Sequence, residues 1–138
     1  MKKIMKIFVM LLVVTMLSLI TVSASAYPGS QVANIQPRYV GIEEAISTLD
    51  ISLRGEANVK GFVELQPGYT GSVTVILYMD SGSYVKSWRA KGSSSITVQE
   101  NHFVAAGHVY YATLSATIYN SSGQRVDTIT TTSAEVYY

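Results

Sequence analysis

The sequence predicts an all-β fold, a seven-stranded antiparallel β-sandwich, for the chain that follows residue 40. Apolar and polar residues alternate there in short segments, as they do in strands that bury only one face. Turn residues separate these segments at intervals of about ten residues, which is typical of a sandwich or a barrel. The stretch GHVYYATLSATIYNSSGQ at 107–124 shows both features, since a long alternating run ends in a cluster of small turn residues.

The first 26 residues are expected to be a secretory signal peptide. Three lysines precede an uncharged apolar run at 7–22, and Ala24 and Ala26 form an A-x-A cleavage site after it. As a helix the apolar run reaches about 24 Å, which is shorter than a hydrocarbon core of ~30 Å. Cleavage leaves a secreted, extracellular protein with no attachment to the membrane. Retention of the leader as a membrane anchor is the alternative.

Removal of the leader also changes the charge of the chain. The whole sequence carries a formal charge of +1, but residues 27–138 hold seven basic and nine acidic residues, a net charge of −2. Few cations are then left to contact phosphates, so a nucleic-acid partner is not expected. The sequence has no cysteine, and the exported domain is therefore expected to be stabilised by packing and backbone pairing alone.

Residues 27–40 are expected to form a flexible N-terminal arm, because this stretch holds two of the three prolines and has no periodicity. Residues 41–138 form the predicted sandwich domain. Its seven strands are assigned, in order, to 47–54, 57–65, 72–80, 84–90, 95–101, 108–119 and 124–136.

Alternation assigns an inward face to four of the first five strands. The inward residues are Leu49, Ile51 and Leu53 in the first; Ala57, Val59, Gly61, Val63 and Leu65 in the second; Val73, Val75, Leu77 and Met79 in the third; and Ile96 and Val98 in the fifth. A helix over 41–51 is the alternative to the start of the first strand, because a 3.6-residue spacing also fits Ile42, Ala45, Ile46 and Leu49.

The last two strands are predicted to form a hairpin around NSSG at 120–123. Gly123 suits the left-handed position of a three-residue loop with a G1 bulge. The resulting register pairs Ile118 with Val126, Ala116 with Thr128, Leu114 with Thr130 and Tyr110 with Ala134. Tyr110 then points to the core. The solvated face is predicted to carry Thr113, Ser115, Thr117, Arg125, Asp127, Thr131 and an isolated Ile129.

The stretch AAGHVYYATLSA at 105–116 resembles the entry into the sixth strand of fibronectin type III and immunoglobulin-like domains. This resemblance implies that Tyr110 is a tyrosine corner, with a buried ring and a hydroxyl bonded to the backbone a few residues upstream. It also implies that Trp88 lies on the short strand after the third and half covers the sheet. The Cys–Trp–Cys pattern of true immunoglobulin domains is absent, so the resemblance concerns architecture.

Four segments carry a second resemblance: QPRYVGI at 36–42, LDISLRGEANVKG at 49–61, SWRAKGSSSI at 87–96 and GHVYYATLSATIYNSSG at 107–123. Together they resemble a small uncharacterised family of exported proteins of Gram-positive bacteria. This resemblance implies no activity, no cofactor and no catalytic residue.

The sequence predicts no catalytic site, no metal site and no cofactor. His102 and His108 lack the further ligands that a zinc ion needs. Glu43 and Glu44 are adjacent, so in a strand they point to opposite faces and do not suit a glycosidase. The loop DSGS at 80–83 lacks the remaining acidic ligands of a calcium site.

Tyrosine is the remaining enrichment, since all ten tyrosines lie after residue 26. We expect a binding surface at Tyr69, Tyr78, Trp88 and Tyr111. Tyr78 would adjoin Tyr111 because the third and sixth strands are neighbours in such a sandwich, and Tyr69 would lie at a loop tip. The hypothesis is a secreted, non-catalytic domain that binds a protein or a cell-envelope surface. A carbohydrate- or cell-wall-binding module, with an envelope polysaccharide as partner, and a secreted toxin or inhibitor are the alternatives.

Overall fold

The computed structural model describes residues 39–138. The predicted signal peptide at 1–26 and most of the predicted arm at 27–40 lie outside the described residues. The described part is all-β, with two antiparallel sheets packed on each other, so the predicted sandwich is confirmed. Among residues 39–138 no helix is long and apolar enough to cross a membrane.

Eight strands build the two sheets. They are β1 (Ile42–Ile51), β2 (Glu56–Leu65), β3 (Thr70–Met79), β4 (Ser83–Ser93), β5 (Ser95–Phe103), β6 (Val109–Tyr119), β7 (Arg125–Thr132) and β8 (Val136–Tyr137). The three-stranded sheet has the order β1-β2-β5. The larger sheet has the order β4-β3-β6-β7, and β8 pairs with the start of β6.

Alternating burial explains why these segments are strands. In β2, β3 and β6 nearly every second residue is buried, and the inward faces of the two sheets meet in a largely aliphatic core. Gly61 of β2 lies against Val75 and Leu114 of the other sheet. A Cβ atom there would lie 2.8 Å from Leu114 Cδ1 and still closer to Val75 Cγ2. The packing at this point therefore leaves no room for a side chain.

The first strand differs from the prediction. The helix considered for 41–51 does not form, since the segment is β1 and pairs with β2 over its length. β1 ends at Ile51, and Leu53, predicted to face inward, is fully exposed. The prediction was wrong there because the chain turns early. The Gly55 N–H donates to the Ser52 carbonyl at 2.9 Å, with Gly55 at a φ of 79°.

The β6–β7 hairpin has the predicted loop. The Asn120 N–H donates to the Gln124 carbonyl at 2.9 Å, and Gly123 has a φ of 76°. The Asn120 side chain also accepts from the N–H groups of Ser122 and Gln124, at 3.0 Å each. A three-residue loop with glycine in the left-handed position is therefore confirmed.

Beyond this loop the register differs from the prediction. Tyr119 lies opposite Arg125, but Ile118 lies opposite Asp127, so an extra residue at Val126 shifts every later pair by one. The wrong pairs are Ile118–Val126, Ala116–Thr128, Leu114–Thr130 and Tyr110–Ala134.

The shift exchanges the two faces of β7. Ile129, predicted to be exposed, is buried, and Thr131 is buried as well. Thr128 and Thr130 are exposed instead. The bulge is favourable because it moves the isoleucine side chain out of water and into the core.

Tyr110 is a tyrosine corner, as the resemblance implied. Its ring is 1% exposed, and its hydroxyl donates to the Ala105 carbonyl at 2.8 Å. Burial raises the pKa of this phenol above its ordinary value of 10.0. At the same end of the sandwich, the Tyr138 N–H donates to the His108 carbonyl at 3.0 Å, and the Tyr138 ring lies against Gly55. These contacts join the start of β6 to the β1–β2 turn.

Candidate functional site

The outward side chains of β4, β3, β6 and β7 in the larger sheet form the candidate site, which we call the tyrosine face. Residues directly opposite each other in antiparallel strands lie on the same face, so the pairing of the strands aligns side chains in rows. From one end to the other the rows are Arg125–Tyr119–Thr70–Ser93, Thr128–Thr117–Ser72–Lys91, Thr130–Ser115–Thr74–Arg89, Thr132–Thr113–Ile76–Ser87 and Tyr111–Tyr78–Tyr84.

The last of these rows, Tyr111–Tyr78–Tyr84, is the tyrosine row, with one ring on each of the neighbouring strands β6, β3 and β4. The rings of Tyr78 and Tyr111 stack, with centroids 5.3 Å apart and planes at 24°. Tyr84 is 63% exposed, and its hydroxyl lies 3.2 Å from Ser87 Oγ. The row therefore presents aromatic surface to solvent in a fixed orientation.

The structure brings two of the four predicted site residues, Tyr78 and Tyr111, into contact. Trp88 lies opposite Val75, so its side chain is on the inner face of β4. There it is half-buried against the core and meets the His102 ring edge to face, with centroids 6.3 Å apart. Trp88 is therefore part of the packing between the sheets and not of the tyrosine face.

Tyr69 is also separate from the tyrosine face. It lies in the β2–β3 loop, where its N–H donates to the Gln66 carbonyl at 3.2 Å. The ring is half-buried and covers Gly41, at which a Cβ would lie 2.6 Å from Tyr69 Cδ1. The predicted loop-tip tyrosine thus packs against the backbone that enters β1.

Sequence reasoning missed Tyr84 as a member of the row. In a regular strand Tyr84 and Trp88 would share a face, since they are four residues apart. A β-bulge at Val85 places them on opposite faces, because Tyr84 pairs with Tyr78 whereas Lys86 pairs with Leu77. The sequence has no glycine or proline at this position to indicate the bulge.

Hydroxyl groups and cations cover the rest of the tyrosine face. Serine and threonine occupy most positions of the four rows beyond the tyrosine row, and Arg89, Lys91 and Arg125 are the charged residues. None of the positions in the five rows is Asp or Glu. This face is therefore positive, although residues 27–138 carry a net charge of −2.

A shallow depression of about 510 Å³ lies at the end of the tyrosine face that is remote from the tyrosine row. The side chains that line it are those of Thr70, Ser72, Lys91, Ser93 and Tyr119. Arg125 lies opposite Tyr119 in the pairing of β6 with β7. The depression thus combines hydroxyls, one aromatic ring and a lysine, with an arginine beside them.

Asp80 in the β3–β4 turn and His108 just before β6 form a separate pair of ionisable groups. His108 Nδ1 donates to Asp80 Oδ2 at 2.9 Å, and the Val109 N–H donates to Asp80 Oδ1 at 3.2 Å. These hydrogen bonds, that of His108 first, hold the pKa of Asp80 below its ordinary value of 3.8. The pair ties the turn to the start of β6. Within residues 39–138 no group of three or more histidines and carboxylates is placed to hold a metal ion.

These observations define an antiparallel β-sandwich of the immunoglobulin and fibronectin III-like type, with aromatic, hydroxyl and cationic side chains on one outer face. No family model and no curated protein matches the chain. Among solved structures it is similar to the endonuclease/exonuclease/phosphatase from Beutenbergia cavernae DSM 12333, at 18% identity and a TM-score of 0.34. The match covers 64% of this chain and 23% of the other, so the chain spans less than a quarter of that protein. At this TM-score the likeness indicates nothing about activity.

Proposed function

We propose that the protein is a secreted, non-catalytic β-sandwich that binds a protein or a polymer of the cell-envelope surface through its tyrosine face. The observation that carries the proposal is the tyrosine row, which places three rings side by side on the outside of a sheet. Folding does not require these rings, because the core lies on the other side of the same strands. Secretion is proposed from the leader at 1–26.

The rigidity of the tyrosine face supports a binding role. Its side chains project from four paired strands, and the stacked rings of Tyr78 and Tyr111 already restrict each other's orientation. Rings that are held in place before the ligand arrives lose little conformational entropy on binding. Tyrosine also offers both apolar area and a hydroxyl, which suits a surface that works in water.

The ionisable groups support a non-catalytic role. Asp80 accepts hydrogen bonds from the His108 ring and from the Val109 N–H at the start of β6, and neither residue lines the depression on the tyrosine face. His102 lies against the Trp88 ring on the inner side of β4. This distribution suits a domain whose charges stabilise turns.

Co-sedimentation with cell-envelope fragments tests the proposal. The full chain is expressed in a Gram-positive host and recovered from the culture medium, where mass spectrometry is expected to find a protein that begins at Tyr27. The exported protein is expected to sediment with the fragments. The double variant Tyr78→Ser/Tyr111→Ser should bind about tenfold more weakly or worse, as when buried aromatic contacts of an interface are removed.

Phe103→Ser is the matched control, because Phe103 is 70% exposed and lies on β5 of the other sheet. This variant should bind as the unchanged protein does. Equal binding of the double tyrosine variant would refute a role for the tyrosine face. A thermal unfolding curve for each variant excludes loss of the fold as the cause of weaker binding.

A further inference from the structure

We infer that the ligand of the tyrosine face is an anionic polysaccharide, with its acidic groups at Arg89, Lys91 and Arg125 and its sugar rings against the tyrosines. The inference rests on the proposed function, since it names the class of polymer that the same face binds. It does not depend on which acidic group the polymer carries. Carboxylate, sulfate and phosphate are all attracted by these cations.

Charge complementarity is the first argument. The three cations lie in three successive rows, from the end of the face that is remote from the tyrosine row to its middle. No carboxylate occupies any of the five rows, so no partner on the face neutralises them. An anionic ligand would meet only positive and neutral groups there. The electrostatic attraction therefore favours both its approach and its alignment along the face.

The lining of the depression is the second argument. Lys91 and the ring of Tyr119 lie among the hydroxyls of Thr70, Ser72 and Ser93. A hydroxyl both donates and accepts hydrogen bonds, and sugar hydroxyl groups need partners of both kinds. An aromatic ring offers a flat apolar surface to the face of a sugar ring. The depression thus combines what an acidic sugar residue requires.

The extent of the face is the third argument, and it favours a polymer over a single sugar. Thr70 in the depression and Tyr78 in the tyrosine row lie eight residues apart on β3. At about 3.3 Å per strand residue this separation is roughly 26 Å. A ligand that contacts both ends is therefore a chain. Three cations are too few for the many phosphate contacts on which nucleic-acid binding depends.

Affinity measurements with defined polymers test the inference. The exported protein is titrated against polygalacturonate and dextran sulfate as carboxylated and sulfated glycans, and against dextran as a neutral glycan. Polyglutamate and single-stranded DNA serve as anions without a polysaccharide chain. Both acidic glycans, or one of them, should bind at least about tenfold more tightly than dextran, polyglutamate and DNA. This affinity should fall as salt is added.

The variants then locate the binding. Arg89→Gln/Lys91→Gln/Arg125→Gln should weaken binding of the acidic glycan roughly tenfold and flatten its salt dependence. Arg54→Gln/Lys60→Gln is the matched control, since both residues are exposed and lie outside the tyrosine face. The control should leave affinity and salt dependence unchanged.

Three results would overturn the inference. These are binding to dextran as tight as binding to the acidic glycans, equal or tighter binding to polyglutamate or DNA, and an unchanged affinity in the triple variant. They are distinct from failure of the proposed function. If envelope fragments still bind in a manner that depends on Tyr78 and Tyr111 while the acidic glycans do not bind, the face has another ligand and only the inference is lost.

Discussion

The outer faces of the two sheets differ in ways that folding does not require. Both sheets bury their other side in the same core, and both show the same alternation along their strands. The outward rows of the three-stranded sheet are Glu44–Glu64–Ser95, Ile46–Phe62–Thr97, Thr48–Lys60–Gln99, Asp50–Asn58–Asn101 and the two-residue row Glu56–Phe103. They contain four acidic residues, one lysine and no tyrosine.

The tyrosine face has the opposite composition, with three cations, no acidic residue and four tyrosines in its rows. Since the inward side of each strand is sufficient to specify burial, the outward side is free to vary. The outer face of the three-stranded sheet, which we call the acidic face, includes Glu44 directly opposite Glu64, a like-charge pair that is unfavourable in a sheet. The tyrosine face therefore has a composition that folding alone does not explain, in line with the binding role proposed for it.

The most destabilising substitution we expect is in the core that both sheets share. Gly61→Ala should lower the free energy of unfolding by about 2 kcal/mol, because its Cβ would collide with Val75 and Leu114. The collision costs more than the ~0.5–1 kcal/mol of stability that alanine otherwise gains over glycine within a strand. Urea denaturation measures the difference. Lys60→Ala, one residue away on the acidic face, is the control, and its free energy of unfolding should stay within about 0.5 kcal/mol of that of the unchanged protein. Equal stability of the two variants would contradict the close packing at Gly61.

A smaller loss of stability is expected when the inner and outer sides of β6 are compared. Tyr110→Phe should cost about 1 kcal/mol, because it removes the hydrogen bond to the Ala105 carbonyl. Tyr111→Phe, on the outward side, should change the free energy of unfolding by less than about 0.5 kcal/mol. Chemical denaturation of the two variants at neutral pH checks this. A larger loss for Tyr111→Phe would mean that the outer face contributes to folding.

The smallest effect concerns the pair at the β3–β4 turn, which belongs to neither face. The pKa of Asp80 is lowered in the folded protein, so its carboxylate stabilises the fold above its ordinary pKa of 3.8 and loses this contribution as the pH falls below that value. Asp80→Asn should therefore lower the melting temperature slightly at neutral pH. Asparagine tolerates the local φ of 52°, so the backbone is not the cause.

The melting temperatures of Asp80→Asn and the unchanged protein should converge as the pH is taken below 3.8. Thermal unfolding followed by circular dichroism between neutral and acidic pH measures the gap. A gap that stays constant down to the lowest pH would show that the carboxylate charge is not its source.

Only part of the candidate site was predictable from the sequence. The contact between Tyr78 and Tyr111 was predictable because the third and sixth strands were expected to be neighbours. Both residues also occupy outward positions in the alternation of their strands. Trp88 was assigned to the same surface although it faces inward. The bulge at Val85 determines which face of β4 carries Trp88 and which carries Tyr84. No glycine or proline at that position of the sequence indicates the bulge.

Alternation and turn chemistry act between residues that are close in the chain, so the sequence alone predicts most of the strands, the inward faces of β2, β3, β5 and β6, and the tight hairpin at Gly123. It also indicated Tyr110 as a core residue. Which side chains share a row depends on how distant strands pair in the folded domain. The bulges at Val85 and Val126 change the pairing of whole strands, and their cost is offset by contacts with residues distant in sequence. The tyrosine face exists because β4, β3, β6 and β7 pair in this register.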